Sequence, residues 1–307
     1  MKTLFTILFT LSTIIGNCQP LYIQTFGEKN AKPIIFLHGG PGYNCANFEA
    51  TTAQKLSEKG FFVIAYDRRG EGRSADANAK FTFEETFNDI NSIYESYGLT
   101  SASFISHSFG GIVGTLYAQK YPEKINSLFL TSAPVSLQES FRHILRTCED
   151  IYSTKNDSSN VKFIHSIEKM DTASIQYSSS CFMQAMKNNF YSPKSRTEES
   201  KKILNNLKSD SLYKYAGAMT MPAPLGFWKN ENYTTIDLTN SIKDLTSKKV
   251  KVIGLYGKDD GLYSPEQVSN LGNIIGKENL FYYDNCSHNV FIDRQAEFLD
   301  AVSKGVN

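Results

Sequence analysis

The stretch ASFISHSFGGIVGTLY, at positions 102–117, decides what kind of fold this chain can adopt. A short apolar run leads into Ser106 and Ser108, and the residues after them are helix-like. The pattern predicts a strand, a sharp turn and a helix, with Ser108 at the turn. Gly110 and Gly111 let the backbones of the strand and the helix approach closely there, because they have no side chain. A serine in an ordinary strand-to-helix loop is the alternative.

Apolar runs on either side of this stretch predict the strands of a sheet. Two of them, 33–37 and 61–66, are continuous, as expected of strands buried on both faces of a parallel sheet. Three more runs predict strands at 126–130, 250–256 and 280–283. A further run at 21–26 predicts another strand, and a helix-like segment at 82–97 is one of several that lie between strands. Strands that alternate with helices over short loops indicate a doubly wound, mostly parallel α/β sheet.

The segment 134–247 breaks this alternation. Strand-like runs are missing from its sequence, and four stretches are helix-like instead: 137–151, 161–170, 175–190 and 198–207. We therefore predict a helical cap at 134–247, inserted between the core segments 19–133 and 248–307. The chain ends in a predicted helix at 291–302.

Composition narrows the class of protein and of partner. The chain has 307 residues, of which 41% are hydrophobic and 21% are charged, which is typical of a globular protein with a sizeable core. The 32 Lys and Arg residues nearly balance the 31 Asp and Glu residues, and no basic stripe is visible. We therefore expect no nucleic-acid partner.

The first 18 residues are typical of a secretory signal peptide. An apolar run at 4–15 follows Lys2 and is too short to span a bilayer as a stable helix. We predict that 1–18 is removed and that the protein is exported, to a bacterial periplasm or outside the cell. Alternatively, 15–18 resembles a lipobox with Cys18 as the lipidated residue, and only then do we expect membrane association. A buried N-terminal helix is the structural alternative.

The other cysteines are Cys45, Cys148, Cys181 and Cys286. An exported protein permits disulfides, so we hypothesise a bridge between Cys148 and Cys181, which both lie in the cap. None of the four has metal-site spacing, and neither H-E-x-x-H nor C-x-x-C occurs in the sequence. We expect no metal and no cofactor.

Two loops near the end of the chain supply the partners that a serine nucleophile needs, a base and a carboxylate that orients the base. His288 follows the predicted strand at 280–283 and is the only histidine after the cap. Asp260 follows the strand at 250–256 and lies 28 residues before His288, which leaves room for one helix and one strand. Asp259 is the alternative acid, and a surface aspartate pair in a turn is the alternative reading of both.

Two more strands end in loops with distinctive sequences, HGGPG at 38–42 and DRRGEGRS at 67–74. Together they resemble the proline iminopeptidase branch of the α/β-hydrolases, which has HGGPG and D-Q-R-G-x-G-R-S in the same two loops. The turn at Ser108 resembles the nucleophile elbow of these enzymes, G-x-S-x-G, with Ser106 in place of the first glycine. The family order of nucleophile, acid and histidine along the chain also matches.

The resemblance implies an α/β-hydrolase fold with Ser108 as nucleophile, His288 as base and Asp260 as the orienting acid. It also implies an oxyanion hole built from the N–H of Phe109 and the N–H of Gly40, with Gly39 as the alternative to Gly40. The implied activity is that of an aminopeptidase of the proline iminopeptidase type, which releases the N-terminal residue of a small peptide. More broadly, the resemblance implies a serine hydrolase that cleaves an amide or ester through an acyl-enzyme. A carboxylic-ester hydrolase and a non-catalytic binding protein on the same scaffold are the alternatives.

The family typically binds the free amine of its substrate with carboxylates of the cap. Five acidic residues of the cap are candidates, and solvated helix faces explain them equally well: Glu139, Glu149, Asp150, Glu198 and Glu199. The elbow also has His107 and Phe109 where these peptidases usually have G-G-S-W-G, a form closer to general hydrolases.

Other polar and aromatic residues have two possible roles. Three arginines either hold their loop together or bind a substrate carboxylate: Arg68, Arg69 and Arg73. Trp228 either lines the pocket beneath the cap or packs in the core of the cap. We expect His107, His143 and His165 to be packing or surface groups.

Overall fold

The computed structural model describes residues 20–306, so the predicted signal peptide lies outside the described residues. The strands are β1 (Ile23–Phe26), β2 (Lys32–Leu37), β3 (Phe61–Tyr66), β4 (Ala102–His107), β5 (Ile125–Thr131), β6 (Lys251–Gly257) and β7 (Leu280–Tyr283). They form one sheet in the order β1-β3-β2-β4-β5-β6-β7. β1 runs antiparallel to β3, and every other neighbouring pair is parallel. The predicted mostly parallel α/β sheet is confirmed.

The helices are α1 (Ala46–Phe48), α2 (Gln54–Glu58), α3 (Phe83–Tyr97), α4 (Phe109–Lys120), α5 (Leu137–Thr154), α6 (Ser158–Glu168), α7 (Ile175–Lys187), α8 (Glu198–Lys208), α9 (Tyr213–Ala216), α10 (Pro222–Glu231), α11 (Thr239–Ser247), α12 (Pro265–Ile275), α13 (Val290–Asp293) and α14 (Gln295–Val306). A π-helical turn at Glu49–Ala53 joins α1 to α2. Apolar side chains of α3, α4, α11 and α12 pack on one face of the sheet, and those of α2 and α14 pack on the other.

Burial on both faces of the sheet explains why strands such as β2 are continuous apolar runs. Side chains alternate between the two faces along a strand. In β2, Ile35 and Leu37 belong to the core beneath α3 and α4, whereas Ile34 and Phe36 belong to the core beneath α2 and α14. All four are at most 1% exposed, so each position requires an apolar residue.

The segment between β5 and β6 is helical throughout its regular elements, from α5 to α11. The first four helices were predicted within a few residues. The sequence did not predict α9, α10 or α11, and α11 packs against α4 and α12 of the sheet layers. The boundaries of the cap at 134 and 247 stay a prediction. Within residues 20–306, none of the helices is long and apolar enough to cross a bilayer.

The predicted disulfide is wrong, because Cys148 and Cys181 are both free, buried thiols. The Sγ of Cys148 instead accepts a hydrogen bond from the side-chain amide of Asn188 at 3.3 Å. Burial raises the pKa of each of the two thiols to about 12.

Candidate active site

Ser108 lies at the tip of the turn between β4 and α4. Its backbone has φ 51° and ψ −123°, a conformation that a residue with a side chain rarely adopts and that costs roughly 1–3 kcal/mol. Two hydrogen bonds hold it there. The Ser108 N–H donates to the carbonyl of Thr131 at 3.0 Å, and the Ser108 carbonyl accepts from the N–H of Gly111 at 2.7 Å.

Glycines around the turn allow the strand and the helix to approach closely. A Cβ on Gly110 would lie 2.1 Å from the carbonyl oxygen of Leu37, and a Cβ on Gly111 would lie 2.2 Å from the Cβ of Ala133. Ser106, which replaces the usual first glycine, is fully buried with its Oγ 2.3 Å from where a Gly114 Cβ would be. The serine is therefore tolerated because Gly114 has no side chain.

The predicted acid and base are paired. The Nδ1 of His288 lies 2.9 Å from an Oδ of Asp260, and both side chains are buried, with 7% and 1% exposed. The other Oδ of Asp260 accepts the N–H of Leu262 at 3.2 Å. Asp259, the alternative acid, instead accepts the N–H of Lys194 at 3.1 Å. The structure therefore brings Asp260 to His288 and directs Asp259 toward the cap.

Ser108 and His288 line the same cavity. Because Nδ1 is bonded to Asp260, Nε2 is the ring nitrogen left for a partner in that cavity. The hydrogen bonds of the described residues do not include one between the Ser108 hydroxyl and His288, and such bonds are often long or poorly aligned in enzymes without substrate. Aromatic rings fix the imidazole in place, with Tyr191 edge-on at 5.1 Å and Tyr263 stacked at 6.3 Å.

The predicted oxyanion donors lie beside Ser108. Gly39 is so close that an added Cβ would be 3.1 Å from the Cβ of Ser108. Gly40 has φ +123°, which favours glycine. Both glycines and Phe109 line the cavity. The backbone hydrogen bonds outside the helices and strands of residues 20–306 include none donated by the N–H of Gly40 or the N–H of Phe109.

Buried ion pairs anchor the loop at 67–74. Arg68 pairs with Glu71 at 3.0 Å and Arg73 with Asp67 at 2.8 Å. Arg69 pairs with two carboxylates, those of Asp76 and Asp89. None of the three arginines lines the cavity, so the structure favours loop anchoring over binding of a substrate carboxylate.

The cavity above Ser108 has a volume of about 500 Å³ and contains no Asp, Glu, Lys or Arg in its described lining. Its walls come from the loops that follow β2, β4, β5, β6 and β7, from α5 and α7, and from the segment around α9 and α10. The apolar contribution of the cap is large: Leu137, Ile144, Ile175, Phe182, Met186, Met219, Met221 and Pro224. The cavity therefore suits an uncharged ligand with a substantial apolar group.

The five acidic cap candidates do not reach this cavity. Glu149 lies 2.6 Å from the Nε2 of His165, and the remaining four are exposed on helix surfaces: Glu139, Asp150, Glu198 and Glu199. Trp228 is also outside the cavity lining, and its indole N–H donates to the carbonyl of Ala173 at 2.8 Å. The structure thus supports the packing role for Trp228.

Sequence reasoning missed three residues around the site. His107, expected to be a packing or surface group, does pack against Phe291, but it also lines the cavity, and its Nε2 lies 3.0 Å from the carbonyl oxygen of His288. Burial and the nearby His288 lower the pKa of His107 to about 3, so its ring is neutral. Tyr191 and Tyr233 come from the cap, and Tyr233 stands edge-on against Phe109 at 5.3 Å. Neither tyrosine lies in a recognisable motif.

Several known proteins are similar to nearly the whole chain. A proline iminopeptidase of Lactobacillus delbrueckii subsp. bulgaricus is 24% identical over 300 residues, which cover 94% of each chain. The solved structure of a proline iminopeptidase-related protein from Thermus thermophilus has a TM-score of 0.67 and 20% identity, over 93% of this chain and 92% of the other. A carboxylesterase structure from the thaumarchaeon Nitrososphaera gargenis has a TM-score of 0.59 and 17% identity, over 92% and 93%.

At these identities the structural likeness shows the fold alone. The family model is more specific, since the model of the alpha/beta hydrolase fold matches residues 32–295. This chain therefore belongs to the alpha/beta hydrolase fold family.

Proposed function

We propose that the protein is a serine hydrolase that cleaves uncharged carboxylic esters with an apolar acyl or alcohol group. His288 takes the proton of Ser108 as the hydroxyl attacks the ester carbonyl, and Asp260 holds the ring and stabilises its protonated form. The amides of Gly40 and Phe109 bind the negative oxygen of the tetrahedral intermediate. His288 then returns the proton to the leaving alcohol, and water releases the acyl group by the same route.

The absence of charged side chains from the described cavity lining carries this proposal. An aminopeptidase must bind an ammonium group next to the scissile bond. Taking that charge out of water without a carboxylate partner costs several kcal/mol. An ester without a free amine avoids this cost and gains from contact with the apolar walls.

An aminopeptidase of the proline iminopeptidase type is the second candidate. The observation in its favour is the match along 94% of the chain to the Lactobacillus enzyme. On this alternative, the amine is held by neutral acceptors of the cavity such as the tyrosine hydroxyls.

A matched pair of substrates separates the two candidates. We expect p-nitrophenyl butyrate to be hydrolysed, and N-acetyl-alanine p-nitroanilide to be cleaved no more slowly than alanine p-nitroanilide, which has a free amine. Cleavage of the free-amine substrate alone would favour the aminopeptidase. Ser108→Ala serves as the blank, and wild-type activity in that variant would refute both. If a fluorophosphonate does not label Ser108, the result favours a non-catalytic binding protein.

A further inference from the structure

Arg68 lies directly behind the loop that carries the predicted oxyanion donors. It follows β3 and is 1% exposed. Its Nη1 donates to the carbonyl of His38 at 2.5 Å, and its Nη2 donates to the carbonyl of Gly39 at 2.6 Å. One guanidinium therefore binds two successive carbonyls of the loop, which its planar fork of donors suits.

The geometry of the peptide bond links these carbonyls to the cavity. In a trans peptide the N–H points opposite to the C=O of the same peptide plane. The Gly39 carbonyl shares its peptide with the N–H of Gly40, and the His38 carbonyl shares its peptide with the N–H of Gly39. Because Arg68 holds both carbonyls on its buried side, both amides are turned the other way, toward the side on which Gly39 and Gly40 line the cavity with Ser108.

Two further contacts fix the guanidinium. Glu71 accepts from its Nε at 3.1 Å and its Nη2 at 3.0 Å, and it also accepts the N–H of Gly42 at 2.7 Å. The loop and the arginine thus share one buried carboxylate. On another side, the guanidinium carbon lies 5.1 Å from the ring centre of Phe109, whose N–H is the second predicted donor. Arg68 therefore binds the loop of the first predicted donor and lies beside the side chain of the residue that carries the second.

We infer that Arg68 is a positioning residue that sets the direction of the oxyanion-binding amides. It acts through the Gly39 and Gly40 peptides and is not among the described residues that line the cavity. The inference rests on the proposed function, because the oxyanion forms only if Ser108 attacks an acyl group. A fully preorganised donor is worth far more than one that must reorient during the reaction.

Arg68→Lys tests the inference because it keeps the positive charge and removes the two-pronged geometry. We expect kcat for p-nitrophenyl butyrate to fall by roughly 100-fold, the effect of losing one oxyanion donor, with KM about unchanged. Inhibition by phenylboronic acid, whose adduct with Ser108 carries a negative oxygen in the same place, should weaken by a similar factor. A purely structural role would lower Tm without changing kcat or boronate affinity of the folded protein.

Arg73→Lys is the matched control, since Arg73 lies in the same loop and its guanidinium binds Asp67 and Glu49 instead of the glycine loop. We expect it to keep the kcat of the wild type. If Arg68→Lys does not fold, the double variant Arg68→Met with Glu71→Gln removes the charge pair without leaving a buried carboxylate unpaired, and the same loss of kcat is expected.

Wild-type kcat and boronate affinity in folded Arg68→Lys would overturn the inference. Fluorophosphonate labelling of the wild-type protein separates this outcome from failure of the proposed function. If the wild-type chain is labelled at Ser108 while Arg68→Lys retains full activity, only the role of Arg68 is wrong. If the wild-type chain is not labelled, the proposed function is wrong and the role of Arg68 falls with it.

Discussion

Replacing Gly110 by alanine tests the close approach of strand and helix that places Ser108. The added Cβ would lie 2.1 Å from the carbonyl oxygen of Leu37 and 2.9 Å from that of His38. Both are backbone atoms, so only a shift of α4 away from β2 relieves the clash. Overpacking of this kind costs roughly 1–3 kcal/mol. Since 1 kcal/mol lowers Tm by roughly 2–4 °C in a large domain, we expect a loss of about 2–12 °C for Gly110→Ala.

The same shift moves Ser108, because Ser108 is the residue that connects β4 to α4. A displacement of about 1 Å in a reacting group can reduce the rate by roughly 100-fold. Thermal unfolding and kcat on p-nitrophenyl butyrate measure the two effects. Gly217→Ala is the control, because a Cβ at that position meets nothing within 4 Å and its φ is −113°. Equal Tm and kcat in the two variants would show that the elbow is not tightly packed.

The acid, the buried histidine and the cap thiols each give a further prediction. Asp260→Asn should lower kcat by roughly 10⁴, as the equivalent change does in a serine protease, whereas Asp259→Asn should leave kcat unchanged; the reverse result in steady-state kinetics would reassign the acid. The pKa of His107 is about 3 in the folded protein and about 6.5 in the unfolded chain, so between these pH values only the unfolded chain binds the proton. The free energy of unfolding should therefore fall as the pH drops from about 6.5 toward 3, and urea unfolding should show a smaller fall for His107→Gln. An equal fall in the variant and the wild type would contradict the assignment. Cys148 and Cys181 should react with a thiol reagent only after denaturation, and peptide mapping without reductant that found them bridged would contradict the structure.

The strands were predictable because a strand that is buried on both faces needs apolar residues at nearly every position. All six residues of β3 are buried, and its observed bounds of Phe61–Tyr66 coincide with the apolar run. The helices that were missed lack such a signal. α10 includes Pro224 and Gly226, residues that normally disfavour a helix, and its Phe227 packs edge-on against Phe109 at 5.0 Å.

The residues of the candidate site were predictable because each follows a strand in a recognisable motif. Asp259 and Asp260 are adjacent in sequence; the resemblance favoured Asp260, and the structure places the carboxylate of Asp260 against His288. The sequence also did not predict that the described cavity lining lacks charged side chains. The acidic residues of the cap are plentiful in sequence, and whether any of them faces inward depends on how the cap helices pack.

The most direct measurement of the central claim is the mass of the protein during turnover. Rapid mixing with p-nitrophenyl butyrate, an acid quench and peptide mass spectrometry would trap the acyl-enzyme. We predict a butyryl group on the peptide that contains Ser108, and no such group in Ser108→Ala. A butyryl group on a different residue, or full ester turnover by Ser108→Ala, would contradict the account.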